Sequence, residues 1–232
     1  MRGGLVIVAH RGASALAPEN TLAAFQAALD LGVDVIGTDV RAGRDGALML
    51  SHDASLARRA GRPEEIADLD GATLGRVVVG TAATGREHYL PTLDELFRLV
   101  AGRAGVLLDL KVPPGHEAGM LAAIRAAGAE GATIVGVRSV AALAVWRALA
   151  PGVRTLALGR TPGEVWAMAG TGGRHGAAVV AVGGGRRARP GARTRQAGMG
   201  DVRRSGDGRG GGGDGGGASR VSAAGGGGGD AQ

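Results

Sequence analysis

Several separated segments of this chain carry side chains that could together bind and cleave a phosphate ester. His10 and Arg11 follow one short apolar run, and His52 and Asp53 follow another. A histidine can carry a proton near neutral pH, and an arginine can hold phosphate oxygens through two parallel hydrogen bonds. In α/β folds, active sites lie at the carboxyl ends of the strands, where both histidines are expected. The two pairs therefore predict acid–base chemistry on an anionic ester.

Two further apolar runs contribute carboxylates and a second cation. Asp39 lies in one of them, and Asp109 and Lys111 lie at the end of the other. Because side chains alternate along a strand, Asp109 and Lys111 share a face, where unpaired charges would be costly to bury. A divalent cation next to a phosphate would satisfy both, with the carboxylate on the metal and the ammonium on the phosphate.

Each of these residues also has an ordinary structural explanation. A single histidine at a strand end is more often a hydrogen-bonded structural residue, although two of them on one parallel sheet reverse that balance. Asp39 could cap a loop, and Asp53 could stabilise a turn through its own backbone. Asp45-Gly46 predicts a tight turn between the second and third strands.

Short apolar runs alternate with segments of helical periodicity along the chain. The predicted strands are residues 5–9, 33–40, 47–51, 106–110, 133–137, 154–158 and 177–182. A capping box from Thr92 to Glu95 begins one of the helices between them. This alternation predicts a parallel sheet with helices outside it. The expected fold class is α/β, a (β/α)8 TIM-type barrel of which about seven strands are present, incomplete at its C-terminal end.

Residues 183–232 differ in composition from the rest of the chain. They hold 20 of the 46 glycines and nine arginines against four acids, and so carry +5 of the net charge of +6. With so few large apolar side chains, this segment cannot offset its ordering entropy. We therefore expect a folded domain at 1–182 and a disordered, low-complexity tail at 183–232.

The origin of the tail has two explanations. Aperiodic sequence rich in Gly, Arg, Ala and Pro is what a GC-rich coding strand gives when it is read in another frame, here from about residues 183–185. The alternative is a genuine Gly/Arg-rich tail that makes weak, salt-sensitive contacts with anionic polymers.

Composition also excludes several classes of protein. The chain has no cysteine, which excludes a disulfide framework and thiolate catalysis. No apolar run approaches 18 residues, which argues against a membrane span, and the run before His10 is too short for the core of a signal peptide. Residues 1–182 are close to neutral, so the basic pI gives no reason to expect a nucleic-acid partner. We expect a cytoplasmic protein that acts on a small molecule.

Taken together, the motifs resemble those of the glycerophosphodiester phosphodiesterase family. The matching residues are His10-Arg11-Gly12, Pro18-Glu19-Asn20-Thr21, Asp39, Asp45-Gly46, His52-Asp53, Leu90-Pro91-Thr92-Leu93 and Asp109-Leu110-Lys111. Their order and spacing agree with the family over about residues 5–160. The first two motifs at this spacing, followed by His52-Asp53, are the specific part of the resemblance.

The resemblance implies a β/α barrel enzyme that hydrolyses glycerophosphodiesters to glycerol 3-phosphate and an alcohol with the help of calcium or magnesium. It implies that His10 and His52 act as general acid and base. It further implies phosphate binding by Arg11 and Lys111, and metal binding by Asp39 and Asp109.

Three departures from the family pattern bear on activity. Gly37 stands where the family has a metal-binding Glu, and Asp109 stands where it has another Glu. The apolar strand with a Trp-Thr pair that closes the family's barrel has no counterpart. Losing a Glu removes one ligand and one negative charge, so weaker metal binding is expected. A non-catalytic relative that binds glycerophosphodiesters without turnover is the alternative function.

Overall fold

The computed structural model of the chain describes residues 6–159, 161–170 and 180–182. The expected tail at 183–232, and the beginning of the last predicted strand, lie outside these residues.

Strands and helices alternate along the described chain. The strands are β1 (Val8–His10), β2 (Val35–Ala42), β3 (Leu48–Leu50), β4 (Val78–Thr81), β5 (Glu87–Tyr89), β6 (Gly105–Leu110), β7 (Thr133–Val137), β8 (Arg154–Gly159) and β9 (Val180–Val182). The α-helices are α1 (Leu22–Asp30), α2 (Ala57–Ala60), α3 (Gly71–Leu74), α4 (Leu93–Val100), α5 (Glu117–Ala126), α6 (Val140–Leu149) and α7 (Pro162–Gly170), and 3-10 turns cover Ile66–Asp68 and Glu130–Ala132.

A seven-stranded sheet organises the described residues. Its order is β1-β2-β6-β7-β8-β9, with β3 paired to β2, and every pair along the main path is parallel. The predicted strands all take part in it, with ends that differ by a few residues. The predicted α/β alternation is thus confirmed. A separate antiparallel hairpin of β4 and β5 was not predicted.

The third strand departs from the predicted parallel arrangement. In β3, Leu50 pairs with Val40 of β2 in antiparallel register, because the connection is a tight turn and parallel strands need a long crossover. Gly46 donates its N–H to the Gly43 carbonyl at 2.9 Å and has a φ of 83°, as predicted for this turn. The hairpin brings the segment after β3 back alongside β2, so that Ser51 donates its N–H to the Asp39 carbonyl at 3.1 Å.

The main core lies where helices α1, α4, α5 and α6 pack against the sheet. Its buried members include Phe25, Leu96, Ile124, Leu108 and Trp146. Helix α4 begins with the predicted capping box and buries one apolar face, and each fully buried large side chain contributes about 1.5–3 kcal/mol. No helix in the described ranges is both long and apolar enough to cross a lipid bilayer.

The turn after β1 is fixed by the close approach of its backbone to α1. Gly12 has a φ of 78°, and a Cβ on it would lie 2.6 Å from the backbone carbonyl carbon of Ala24. Ala13 donates its N–H to the Ala24 carbonyl at 2.9 Å. Arg11 and Asn20 also have positive φ, at 62° and 51°, a strained conformation that costs about 1–3 kcal/mol and often marks functional sites. Only glycine fits at position 12 without a clash, and the backbone of this turn sets the direction of the neighbouring Arg11.

Gly12→Ala should therefore destabilise the protein more than a matched glycine substitution. Gly32 has a similar φ of 74°, but a Cβ there would meet nothing within 4 Å. Gly32→Ala should lower the free energy of unfolding by about 1 kcal/mol, and Gly12→Ala by about 2–4 kcal/mol because overpacking is added. Urea denaturation measures both. Equal losses would show that the packing of Gly12 against α1 is unimportant.

Candidate active site

Two carboxylates lie side by side where strands β2 and β6 end. The parallel register pairs Asp39 directly with Asp109. The Lys111 ammonium lies between them, with Nζ 3.2 Å from Asp39 Oδ1 and 3.0 Å from Asp109 Oδ2. Asp39 is fully buried, and the other two side chains are mostly buried. Like charges this close repel, so the shared ammonium is what makes the arrangement stable.

The second oxygen of Asp39 is held by the segment between β1 and α1. Asp39 Oδ2 lies 3.1 Å from Arg11 Nε and accepts a hydrogen bond from Asn20 Nδ2 at 3.1 Å. Thr38 Oγ1 donates to Asn20 Oδ1 at 2.9 Å, which fixes the orientation of the amide. Asn20 is nearly inaccessible to solvent. The segment between β1 and α1 is thereby joined to Asp39 through buried polar contacts.

Asp53 holds the His52 ring in position. Its Oδ1 lies 2.7 Å from His52 Nδ1, while Arg41 holds the His52 carbonyl through Nε and Nη2 at 3.1 and 2.7 Å. Partial burial alone would raise the pKa of Asp53, but hydrogen bonds from His52 and Arg58 outweigh it and lower this pKa below its usual range. With Nδ1 engaged by a carboxylate, Nε2 is the ring atom that can exchange a proton with a ligand.

His10 remains exposed at the end of β1 but has a lowered pKa. Desolvation by the surrounding protein is the main cause, and the Arg11 guanidinium and His52 act in the same direction. Asp39 and Asp109 oppose them without reversing the shift. The imidazole is therefore neutral at neutral pH.

Glu19 connects the first motifs to helix α2. Its carboxylate accepts a hydrogen bond from Arg11 Nη1 at 3.0 Å and another from Arg58, which also donates to Asp53. Burial would raise the pKa of Glu19, but the bonds from Arg58 and Arg11 lower it below its usual range. Arg59 donates to the carbonyls of Glu19 and Val79. Sequence reasoning missed both arginines of α2, whose only signal was their closeness to His52 along the chain.

Arg138 is a further site residue that sequence reasoning missed. It directly follows β7 and donates a pair of hydrogen bonds, the fork, to Asp109. Nε donates to Oδ1 at 3.1 Å and Nη2 donates to Oδ2 at 2.6 Å. Burial would raise the pKa of Asp109, yet the bonds from Arg138 and Lys111 lower it below its usual range. Its place at a strand end, the same signal that identified His10, could have found it.

A cavity of about 620 Å³ opens at this end of the sheet. It is lined by His52, Leu110, Lys111, Arg138, Leu158 and Glu164. This volume is in the range of small-molecule sites.

The structure brings the predicted site residues into one region. Consecutive ion pairs join Arg11 to Asp39, Asp39 to Lys111, and Lys111 to Asp109. His52 shares the cavity wall with Lys111, and the charges of His52, Asp39 and Asp109 act on His10. Their catalytic and binding roles stay predictions.

The donor set does not fit the calcium or magnesium ion that the family resemblance implied. Gly37 has no side chain, and both oxygens of Asp109 are bonded to Arg138 and Lys111. Asp39 Oδ1 is a buried acceptor without a hydrogen bond, but the Lys111 ammonium is already its counter-ion. Among the described residues, no three His, Asp or Glu side chains are grouped so as to hold a metal, whereas calcium takes six to eight oxygen ligands.

Removing the shared ammonium should be strongly destabilising. Lys111→Met leaves two neighbouring carboxylates without their common counter-ion and should lower the free energy of unfolding by about 3 kcal/mol. Arg103→Met removes an exposed ion pair with Asp30 and should cost less than about 1 kcal/mol. Thermal or urea denaturation at neutral pH compares them.

A double variant provides the control for this prediction. Asp109→Asn in the Lys111→Met background removes one of the repelling charges, so part of the lost stability should return. Additive losses in the double variant would mean that Lys111 does not act through the carboxylates.

Comparison with known proteins gives the chain its family. Residues 10–146 match the glycerophosphoryl diester phosphodiesterase family. A glycerophosphodiester phosphodiesterase from Caldanaerobacter subterraneus is 34% identical over 135 residues, which cover 52% of this chain and 52% of the relative. A probable glycerophosphodiester phosphodiesterase 1 from Mycobacterium tuberculosis is 33% identical over 193 residues, or 74% of this chain and 70% of the relative. The chain thus spans about half the length of the first of these relatives.

A solved structure resembles the described fold. A phosphodiesterase from Oleispira antarctica, in complex with the product sn-glycerol 3-phosphate, superposes with a TM-score of 0.61 and 26% identity over 66% of this chain and 65% of that chain. The described residues therefore form a curled parallel half-barrel, which is part of the family's TIM-type barrel. The family is generally metal-dependent, whereas the donor atoms of the described residues do not fit a metal ion. Because the family match covers more than half of its residues, this chain belongs to the glycerophosphoryl diester phosphodiesterase family.

Proposed function

We propose that this protein hydrolyses glycerophosphodiesters to sn-glycerol 3-phosphate and an alcohol. The observation that carries the proposal is that His52 and Lys111 line one cavity. Lys111 shares the carboxylate of Asp39 with Arg11, and the charges of His52, Asp39 and Asp109 act on His10. The product bound to the Oleispira relative supports a small phosphate ester as the substrate class.

Arg11 and Lys111 are proposed to bind the phosphodiester group. Both side chains are mostly buried, with relative exposures of 20% and 18%, so their charges are only weakly screened by water. Both are also fixed by Asp39, which holds them in place before the substrate arrives. Charge-assisted hydrogen bonds from fixed donors stabilise the negative charge that builds up on phosphate oxygens during cleavage.

The two histidines are proposed to divide the proton transfers. His10, which is neutral at neutral pH because of its lowered pKa, takes a proton from the attacking water. His52 Nε2 gives a proton to the oxygen of the leaving alcohol, while Asp53 stabilises the charged ring through Nδ1. One proton is taken and one is given, so the diester and water become the monoester and the alcohol.

Binding without turnover is the second candidate function. Gly37 favours it, because the family position that carries a metal-binding Glu has no donor here and the neighbouring carboxylates are already ion-paired. In that case the same residues would retain a phosphate ester without cleaving it.

Hydrolysis of glycerophosphocholine by the purified full chain separates the two candidates. We expect release of sn-glycerol 3-phosphate, measured with a coupled dehydrogenase assay, and a loss of about 10²- to 10⁴-fold in kcat for His10→Gln and His52→Gln. His88→Gln, on the β5 strand of the separate hairpin, is the matched control and should keep full activity. Substrate binding with no release of product would support the binding protein instead.

The dependence of kcat/KM on pH should report the lowered pKa of His10. A base must be neutral, so activity should persist below pH 6.5, the ordinary value, and disappear as the pH falls through the lower pKa of this ring. Arg11→Gln removes one cause of the lowering and should move the acidic limb to higher pH, whatever its effect on the maximal rate. An acidic limb at or above 6.5 in the unmodified protein would contradict the assignment of His10 as the base.

A further inference from the structure

Cations outnumber the carboxylates with which they pair at the carboxyl end of the sheet. One continuous network of ion pairs in the described residues joins Glu19, Asp39, Asp53 and Asp109 to Arg11, Arg58, Arg59, Lys111 and Arg138. Four carboxylates thus face five cations. The network therefore carries one more positive than negative charge, and Glu164, which is outside the network, also lines the cavity. An excess of positive charge in a partly buried network repels a further cation and attracts an anion.

Arg138, like Arg58 and Arg59, belongs to no sequence motif, and of these three arginines it is the one that lines the cavity. Its side chain is about half exposed and lines the cavity beside Lys111 and His52. The fork onto Asp109 uses Nε and Nη2, and a guanidinium has five N–H groups. The hydrogens on Nη1 lie outside this fork and can be donated to a ligand.

The same two hydrogen bonds compete with a metal ion for the oxygens of Asp109. Both of its oxygens accept hydrogen bonds from Arg138, and Oδ2 also contacts Lys111. A metal would have to replace the guanidinium or bind beside it at the lone pair left on Oδ1, against the repulsion of two cations, and Gly37 would still contribute no ligand. The guanidinium of Arg138 places a positive charge beside Asp109 and at the wall of the cavity.

We propose that Arg138, together with Arg11 and Lys111, forms an anion site made only of protein groups, which binds the phosphate of glycerol phosphate esters without a divalent metal. This inference rests on the proposed function for the class of ligand. Arg138 acts in it as a phosphate-binding residue, and Asp109 orients its guanidinium.

Calorimetric titration with sn-glycerol 3-phosphate tests the proposal on the full chain. Binding should have the same affinity with EDTA as with added magnesium or calcium chloride. Arg138→Gln should weaken it about 10- to 100-fold, because a charge-assisted hydrogen bond is lost. Arg125→Gln, which removes an exposed arginine paired with Glu130, is the matched control and should bind as the unmodified protein does.

A second pair of measurements covers the chance that Arg138→Gln unfolds. Arg138→Lys keeps the charge but loses the fork, and should bind with an affinity between those of the unmodified protein and Arg138→Gln. Titration with calcium chloride alone should give no binding heat for the unmodified protein. It should give heat for the double variant Gly37→Glu with Arg138→Gln, in which a third carboxylate is added and the competing cation removed.

The results distinguish this inference from the hydrolytic function. Metal-independent binding that requires Arg138 upholds the inference even if glycerophosphocholine is never cleaved. Binding of the ligand only when magnesium or calcium is present would overturn it, as would unchanged affinity in a folded Arg138→Gln variant, even if hydrolysis were observed.

Discussion

The ammonium of Lys111 between Asp39 and Asp109 is the interaction on which the rest of the site depends. Parallel pairing of β2 with β6 forces the two carboxylates to be neighbours, and only a cation between them makes that register tolerable in a mostly buried place. The remaining oxygens then recruit Arg11, Asn20 and Arg138. The pairing of β2 with β6 brings two repelling carboxylates together, and the candidate phosphate-binding cations lie where they neutralise this repulsion.

The hairpin of β2 and β3 adds the second imidazole to this centre. Since β3 runs antiparallel, the chain returns alongside Asp39 and places His52 near the same strand ends that carry His10 and Lys111. Helix α2 then fastens the arrangement, because Arg58 bridges Asp53 and Glu19. Each motif contributes a charged group that another motif needs, which explains why segments so distant along the chain form one site.

Much of this arrangement could be predicted from the sequence, and the exceptions have physical reasons. Apolar periodicity identified the strands because burial dictates it, and polar residues at strand ends identified His10, Asp39 and Lys111. The predicted direction of β3 was wrong, since a run of apolar residues does not reveal which way it pairs. The tight turn predicted at Asp45-Gly46 would have indicated antiparallel pairing. Arg138 could have been identified by its place directly after β7, but its ion pair with Asp109 and the ion pairs of Arg58 could not be predicted, because they depend on contacts between distant segments. The metal-binding roles of Asp39 and Asp109 stay predictions, and the structure shows the oxygens of Asp109 bonded to Arg138 and Lys111.

A crystal structure of the protein with sn-glycerol 3-phosphate, grown with calcium or magnesium present, is the decisive measurement. We expect the phosphate in contact with Arg11, Lys111 and Arg138, and the Lys111 ammonium still between Asp39 and Asp109. A metal ion bridging those two carboxylates, with Lys111 and Arg138 turned away from them, would contradict this expectation.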